Sequence, residues 1–156
     1  MPTAYILVGI PGSGKSTWIK NQKWANDCVI ASTDNYVEAF ARSVNKTYSE
    51  VFNDVMKAAV RQMTEDVIVA REAGKDIIWD QTSTTIGSRA KKLNMLDGYT
   101  KIAVVFKIPD PVELDRRLKS RPGKTIPWYV IDDMSEQLEK EPPTLAEGFD
   151  QIWHAE

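Results

Sequence analysis

Cysteine and histidine are almost absent, with one of each in 156 residues. A lone Cys28 cannot form a disulfide within the chain. Its setting, Cys28-Val29-Ile30-Ala31, reads as a buried strand position rather than a reactive thiol. His154, close to the carboxy terminus, is read as a surface or packing residue and not as a catalytic one. No apolar run approaches the roughly 20 residues that cross a bilayer, so no membrane partner is expected. The first residues lack the pattern of a signal peptide and run directly into an apolar segment, which sets a cytoplasmic expectation. A basic excess is also missing: 20 Lys and Arg stand against 22 Asp and Glu, for a net charge of −2. That balance argues against a broad, non-specific nucleic-acid surface, although it leaves room for a small basic funnel at a site. There is no internal repeat, no low-complexity tract and no sign of an obligate protein partner. The 42% hydrophobic and 27% charged content is that of an ordinary globular protein. The length suits a single domain over residues 1–156.

What is present is concentrated early. The stretch GIPGSGKST occupies positions 9–17, directly after the apolar Tyr5-Ile6-Leu7-Val8. It fits Gly-x-x-x-x-Gly-Lys-Ser, a loop whose backbone amides cradle phosphate between a strand and a helix. Gly9, Gly12 and Gly14 provide backbone freedom and close approach, with Pro11 and Ser13 between them. Lys15 is expected on the β- and γ-phosphates, Ser16 on magnesium, and Thr17 beside the nucleotide. The expected cofactors are ATP and Mg²⁺.

Four short apolar runs read as buried parallel strands: Tyr5–Val8, Cys28–Ala31, Asp76–Trp79 and Lys101–Lys107. Helical stretches are expected over Lys15–Ala25, Asn35–Arg42, Ser49–Ala73, Ser88–Leu96, Pro111–Ser120 and Trp128–Lys140. Glu139–Pro143 reads as a loose linker, and Gly148–His154 as either a last edge strand or a strap. Alternation of this kind, with the phosphate loop, specifies a three-layer α/β sandwich around a parallel sheet of four or five strands, the fold of phosphate-loop nucleoside triphosphatases, here with an arginine-bearing lid.

Ligands in such sheets collect beyond the carboxyl ends of the strands, so the residues there are the candidate site. After the second run comes Ser32-Thr33-Asp34-Asn35-Tyr36; Asp34 is either a helix cap or a base for an attacking hydroxyl. After the third comes Asp80-Gln81-Thr82, where Asp80 is either a cap or a second ligand for magnesium. The run Arg116-Arg117-Leu118-Lys119-Ser120-Arg121-Pro122-Gly123 ends where a helix gives way to Pro-Gly. Arg116 and Lys119 read as a solvated face. Arg117 and Arg121 are set on the donor phosphates, with Arg121 placed to close over the transferring group. Thr82, Arg89 and Trp128 are assigned to the acceptor side, Trp128 as a ring able to stack on a base.

In order along the chain, GIPGSGKSTW, STDNY, IIWDQT and RRLKSRPGKTIPWYVI resemble the 5′-kinase domain of bacteriophage polynucleotide kinase and its small phosphate-loop relatives. The likeness runs to about Met134, and the tail EGFDQIW also looks like theirs. The resemblance implies Asp34 as general base, Lys15, Ser16 and Thr17 on nucleotide and magnesium, Arg121 as the lid arginine, and Asp80 with Thr82 on the acceptor side. It implies a nucleic-acid hydroxyl as acceptor, most simply a 5′-OH end. Two departures stand out. The acceptor arginine expected shortly after the base is missing from Asp34-Asn35-Tyr36-Val37-Glu38, and no segment corresponds to the companion phosphatase. A kinase for the hydroxymethyl group of 5-hydroxymethyluracil in DNA therefore stays open, as does a small-molecule kinase for a sugar or nucleoside. A guanine-nucleotide switch ranks below these, because Asn45-Lys46-Thr47-Tyr48 lacks the Asp of the base-reading motif.

Overall fold

A computed structural model describes residues 1–155. Five parallel strands form one sheet in the order β2-β3-β1-β4-β5, with β1 at Thr3–Val8, β2 at Val29–Ala31, β3 at Ile77–Trp79, β4 at Thr100–Phe106 and β5 at Gln151–Ala155. The central strand carries no polar face, since Ala4, Ile6, Leu7 and Val8 are all fully buried, as expected of a strand covered on both sides. The chain from residue 148 onward resolves the strand-or-strap choice: Ile102↔Gln151 through Phe106↔Ala155 pair in parallel register, and His154 lies exposed on that edge. Cys28 sits one residue ahead of β2, half-buried. Burial, together with Asp76 and Asp27, pushes its thiol up to about 11, which leaves it chemically quiet.

The helices are α1 (Lys15–Asn21), α2 (Thr33–Ser43), α3 (Tyr48–Glu72), α4 (Ile86–Leu93), α5 (Pro111–Lys119) and α6 (Trp128–Lys140). The longest, α3, starts with a capping box in which Thr47 and Glu50 satisfy each other's backbone amides. It buries Val51, Val55, Ala59, Met63, Val67 and Ala70, one residue per turn, and stops ahead of Gly74, whose positive φ closes the end. The first helix is shorter than its sequence pattern predicts: it ends at Asn21, and Lys23–Asp27 tighten into a 3₁₀ turn.

The core lies on both faces of the sheet. On one face, Met63, Val67 and Ala70 of α3, Leu93 of α4 and Leu138 of α6 pack against β1 and β3. On the other, Trp18, Ile19 and Trp24 cover Leu7, Ile78 and Val104. A smaller cluster positions the site: Ile10, fully buried within the phosphate loop, packs with Leu114 of α5 and Ile131 of α6. These two helices flank the arginine-bearing segment, so its roots are fixed to the loop. No helix among the described residues is long and apolar enough to cross a membrane.

Candidate active site

The loop from Gly9 to Gly14 leaves β1 and turns into α1 with its backbone held close to its neighbours. The Gly9 amide donates to the Thr82 carbonyl at 3.0 Å, which ties the loop to the segment after β3. A Cβ at Gly9 would stand 2.5 Å from Ser13 Oγ and 2.9 Å from Phe106 Cβ. At Gly12, with φ of +83°, a Cβ would meet Leu114 Cδ1 at 2.8 Å. Pro11 and Ser13 complete the turn, and the Ser13 amide donates to the Ile10 carbonyl at 3.2 Å. The Ser13 hydroxyl is buried without a protein partner, which costs free energy unless something else bonds to it.

Lys15 curls back over this loop. Its Nζ donates to the Gly9 carbonyl at 2.8 Å and the Ile10 carbonyl at 3.0 Å. Burial brings its pKa down to about 8, against the pull of Asp80 and Asp34. The two carboxylates at the ends of β2 and β3 are thus within electrostatic reach of the loop lysine. Ser16 and Thr17 are exposed in the first turn of α1. The orphaned Ser13 hydroxyl, the glycine cradle and Lys15 fit a polyphosphate. Ser16 and Asp80 are the residues that would hold magnesium, a hard cation satisfied by few protein oxygens when phosphates and water supply the rest.

Neither carboxylate is a helix cap. Ser32 caps α2, its side chain accepting from the Asn35 amide, and Thr85 caps α4 by accepting from the Ser88 amide. Asp34 is free for other bonds. Its Oδ1 accepts from the Tyr48 hydroxyl at 2.6 Å and its Oδ2 from Lys124 Nζ at 2.9 Å. Burial pushes the Asp34 carboxyl up, but Lys124, the Tyr48 hydrogen bond and Lys15 together outweigh it, and the net position is below the usual carboxylate range. Asp80 moves the other way: burial raises it and Asp34 adds to the rise, with Lys15 opposing. Burial and mutual repulsion thus act hardest on Asp80, whereas Asp34 has a hydrogen-bonded cation of its own.

Arg117 lies against the loop: its Nη1 donates to the Gly12 carbonyl at 3.0 Å while its Nε is paired with Glu113. Arg121 is the second residue of the Ser120–Pro127 segment, partly exposed and within electrostatic reach of Lys15 and Tyr48. Trp128 begins α6 at the far root of that segment, 46% exposed.

Arg89 requires a correction. It is fully buried behind the site, not on the acceptor side: its Nε pairs with Glu147 at 2.8 Å, and its other nitrogens donate to the Ser83 and Glu141 carbonyls. Every guanidinium nitrogen is engaged by Glu147, the Glu141 carbonyl or the Ser83 carbonyl, and the residue fastens the chain from 141 to 147 to α4. Replacing Arg89 with methionine leaves Glu147 buried and unpaired and is expected to cost roughly 3–5 kcal/mol in stability. Urea unfolding measures that loss. Site chemistry in the surviving folded fraction should be near normal, and a selective loss of turnover without destabilisation would restore Arg89 to the site.

The sequence pattern missed Tyr48 and Lys124. A cation beside Asp34 comes from the Ser120–Pro127 segment, 90 positions along the chain, and it is paired with the carboxylate itself. The signal available was the Gly123-Lys124 pair just beyond Arg121; its partner is set only by folding.

Residues 5–141 match the AAA domain family model. Among solved structures, a candidate kinase from Chloroflexus aurantiacus J-10-fl superposes with a TM-score of 0.70 at 18% identity, over 99% of this chain and 84% of that one. Shikimate kinase from Bacteroides thetaiotaomicron gives 0.54 at 20% identity, covering 98% and 86%. A chain of the Pnkp1/Rnl/Hen1 complex gives 0.55 at 21% identity, over 74% of this chain and 38% of that one. Similarity at this level shares a fold, and it agrees with the five-strand order and the phosphate loop described above. With most of its length inside the matched family, the chain belongs to the AAA domain family as a kinase-like phosphate-loop domain.

Proposed function

We propose that this protein transfers the γ-phosphate of ATP, with magnesium, to a hydroxyl group, and that Asp34 accepts the hydroxyl proton. One observation carries the reading: a carboxylate that is half-exposed, ionised and unused as a cap stands beside the loop lysine. In the step, the acceptor oxygen bonds to the γ-phosphorus as the bond to the bridging oxygen breaks, and the acceptor's proton passes to Asp34. Ser16 and Asp80 would hold magnesium, which when bound would neutralise charge on the phosphates. Arg121 and Arg117 are the protein's own cations on the donor side.

For the acceptor we propose a nucleic-acid hydroxyl, most simply a 5′-OH end, on the strength of the ordered motifs that resemble phage polynucleotide kinase; a hydroxymethyl group on a DNA base belongs to the same class. A second reading, an uncharged small-molecule alcohol, is favoured by a specific observation. Glu38 and Asp80 stand near Asp34, and the one lid cation beside it is already paired, so the acceptor side is not basic. Labelled ATP offered with 5′-OH oligonucleotides, hydroxymethylated duplex DNA and a panel of sugars and nucleosides separates these. Transfer to none of them would refute the kinase reading.

Asp34→Asn tests the base. Asn keeps the size of the side chain, and the cap belongs to Ser32, so the start of α2 should be unaffected. Single-turnover transfer should fall by about 10²-fold or more while ATP binding survives. In the wild type, the lowered Asp34 pKa means that the base keeps its charge to lower pH than an ordinary aspartate, and activity dependent on it is lost as pH falls through that lowered value. Normal turnover in the Asn variant would remove Asp34 from the mechanism.

A further inference from the structure

Lys124 stands in an arrangement that its own segment does not explain. Its side chain is only 10% exposed, although it extends from an eight-residue connection between α5 and α6. The ammonium donates to Asp34 Oδ2 at 2.9 Å, lies 3.9 Å from Glu38 Oε1, and sits 4.4 Å from the centre of the Tyr48 ring. Tyr48 in turn donates to the other Asp34 oxygen. Two donors on separate elements therefore fix both oxygens of one carboxylate, and each oxygen keeps a lone pair for a third partner.

The segment that carries Lys124 is seated on the amino-terminal turn of α3. The Gly123 carbonyl accepts from the Ser49 amide at 3.0 Å, and the Thr125 amide donates to Ser49 Oγ at 2.9 Å. Gly123 has φ of +71°, and a Cβ there would lie 2.6 Å from Thr47 Cβ. The seat is cut for glycine, and the residue after it delivers the ammonium to Asp34.

We infer that Lys124 is a positioning residue for Asp34, and that it acts only while the lid is seated on α3, so that the lid bearing the donor-side arginine also aims the base. The inference rests on the kinase reading for its purpose but not for its geometry. Seating brings Arg121 toward the phosphates and Lys124 onto the base through one rigid connection, so a catalytic carboxylate is oriented when the donor side is covered. Besides Lys124 and Tyr48, Lys15 from the loop and Asp80 after β3 act on Asp34 itself, while Glu38 from α2 and Arg121 within the lid act on its partners Lys124 and Tyr48.

The test uses the full chain with ¹³C-labelled aspartate carboxyls, and compares wild type, Lys124→Met, Lys124→Arg and Gly123→Ala by NMR titration. Methionine keeps the stem against Tyr48 and removes the charge. The Asp34 carboxyl should titrate about one pH unit or more higher in Lys124→Met and remain near the wild-type position in Lys124→Arg. In Gly123→Ala the lysine is intact but its seat is blocked, and the same upward shift is expected. The acid limb of kcat should move with the carboxyl in each variant, without change in KM for ATP. An Asp34 titration unmoved in Lys124→Met overturns the positioning role, and a wild-type titration in Gly123→Ala overturns its dependence on the lid. Should the wild type phosphorylate no acceptor, the kinase reading falls, while the carboxyl titrations still decide the role of Lys124.

Discussion

Lys15→Ala is expected to remove phosphoryl transfer to every acceptor, a loss on the order of 10³-fold or more, the scale of a cation on the transferring group. The fold should survive. Lys15 Nζ bonds only to carbonyls of its own loop, whereas the loop is fixed by Ile10 in the α5–α6 cluster and by the Gly9 amide on Thr82. Removing a buried cation whose pKa is depressed also relieves a desolvation cost, so thermal unfolding should shift little or slightly upward. Labelled-ATP transfer beside a melting curve checks both halves. Activity within a few-fold of wild type would sink the phosphate-loop assignment, and a collapsed fold would show that the lysine's role is structural.

Arg121→Ala should lower kcat by roughly 10³-fold with acceptor KM nearly unchanged, because an arginine that closes on the transferring phosphoryl group acts on charge that develops in the transition state. Arg121 has the means to do this: it is partly exposed, it lies on the segment seated over the site, and its charge reaches both Lys15 and Tyr48. Arg117 is the contrast. Tied to Glu113 and to the Gly12 carbonyl, it holds the loop in place on the donor side, and its replacement should raise KM for ATP more than it lowers kcat. The reverse split for Arg121, with acceptor KM rising and kcat held, would move it to the acceptor side.

The parts of the molecule written in local pattern could be read before folding. The β1 strand, the glycine loop and the extent of α3 are each short-range consequences of residue type, and the elements lie within two residues of where the sequence puts them, although Phe52, Val60 and Ile68 of the apolar pattern in α3 are exposed. Asp34 and Asp80 were legible because strand ends collect ligands in a parallel sheet. What distinguishes them from caps was not: the caps are Ser32 and Thr85, and choosing between adjacent polar residues depends on backbone geometry rather than on type. Arg89 was misplaced for a related reason. It was assigned to the acceptor side, but α4 turns it inward to Glu147, a partner that arrives 58 residues later. Lys124 and Tyr48 were hidden by the same long range, since the lid and α3 meet only in the folded chain. The β5 register is the opposite case: an ambiguous tail becomes a strand because the β4 edge offers it a ladder.

The Ser49 amide has one further use. As a first-turn donor of α3 it has no partner within its own helix, and the Gly123 carbonyl alone holds it. Its exchange with deuterium therefore reports a single event, the lifting of the lid, separate from global unfolding. Slow exchange at that one proton, set against the rate for an open amide, gives the equilibrium between seated and raised lid in solution. Nucleotide should slow it further if ATP favours the seated form, so one backbone hydrogen becomes a gauge of how often the site is closed.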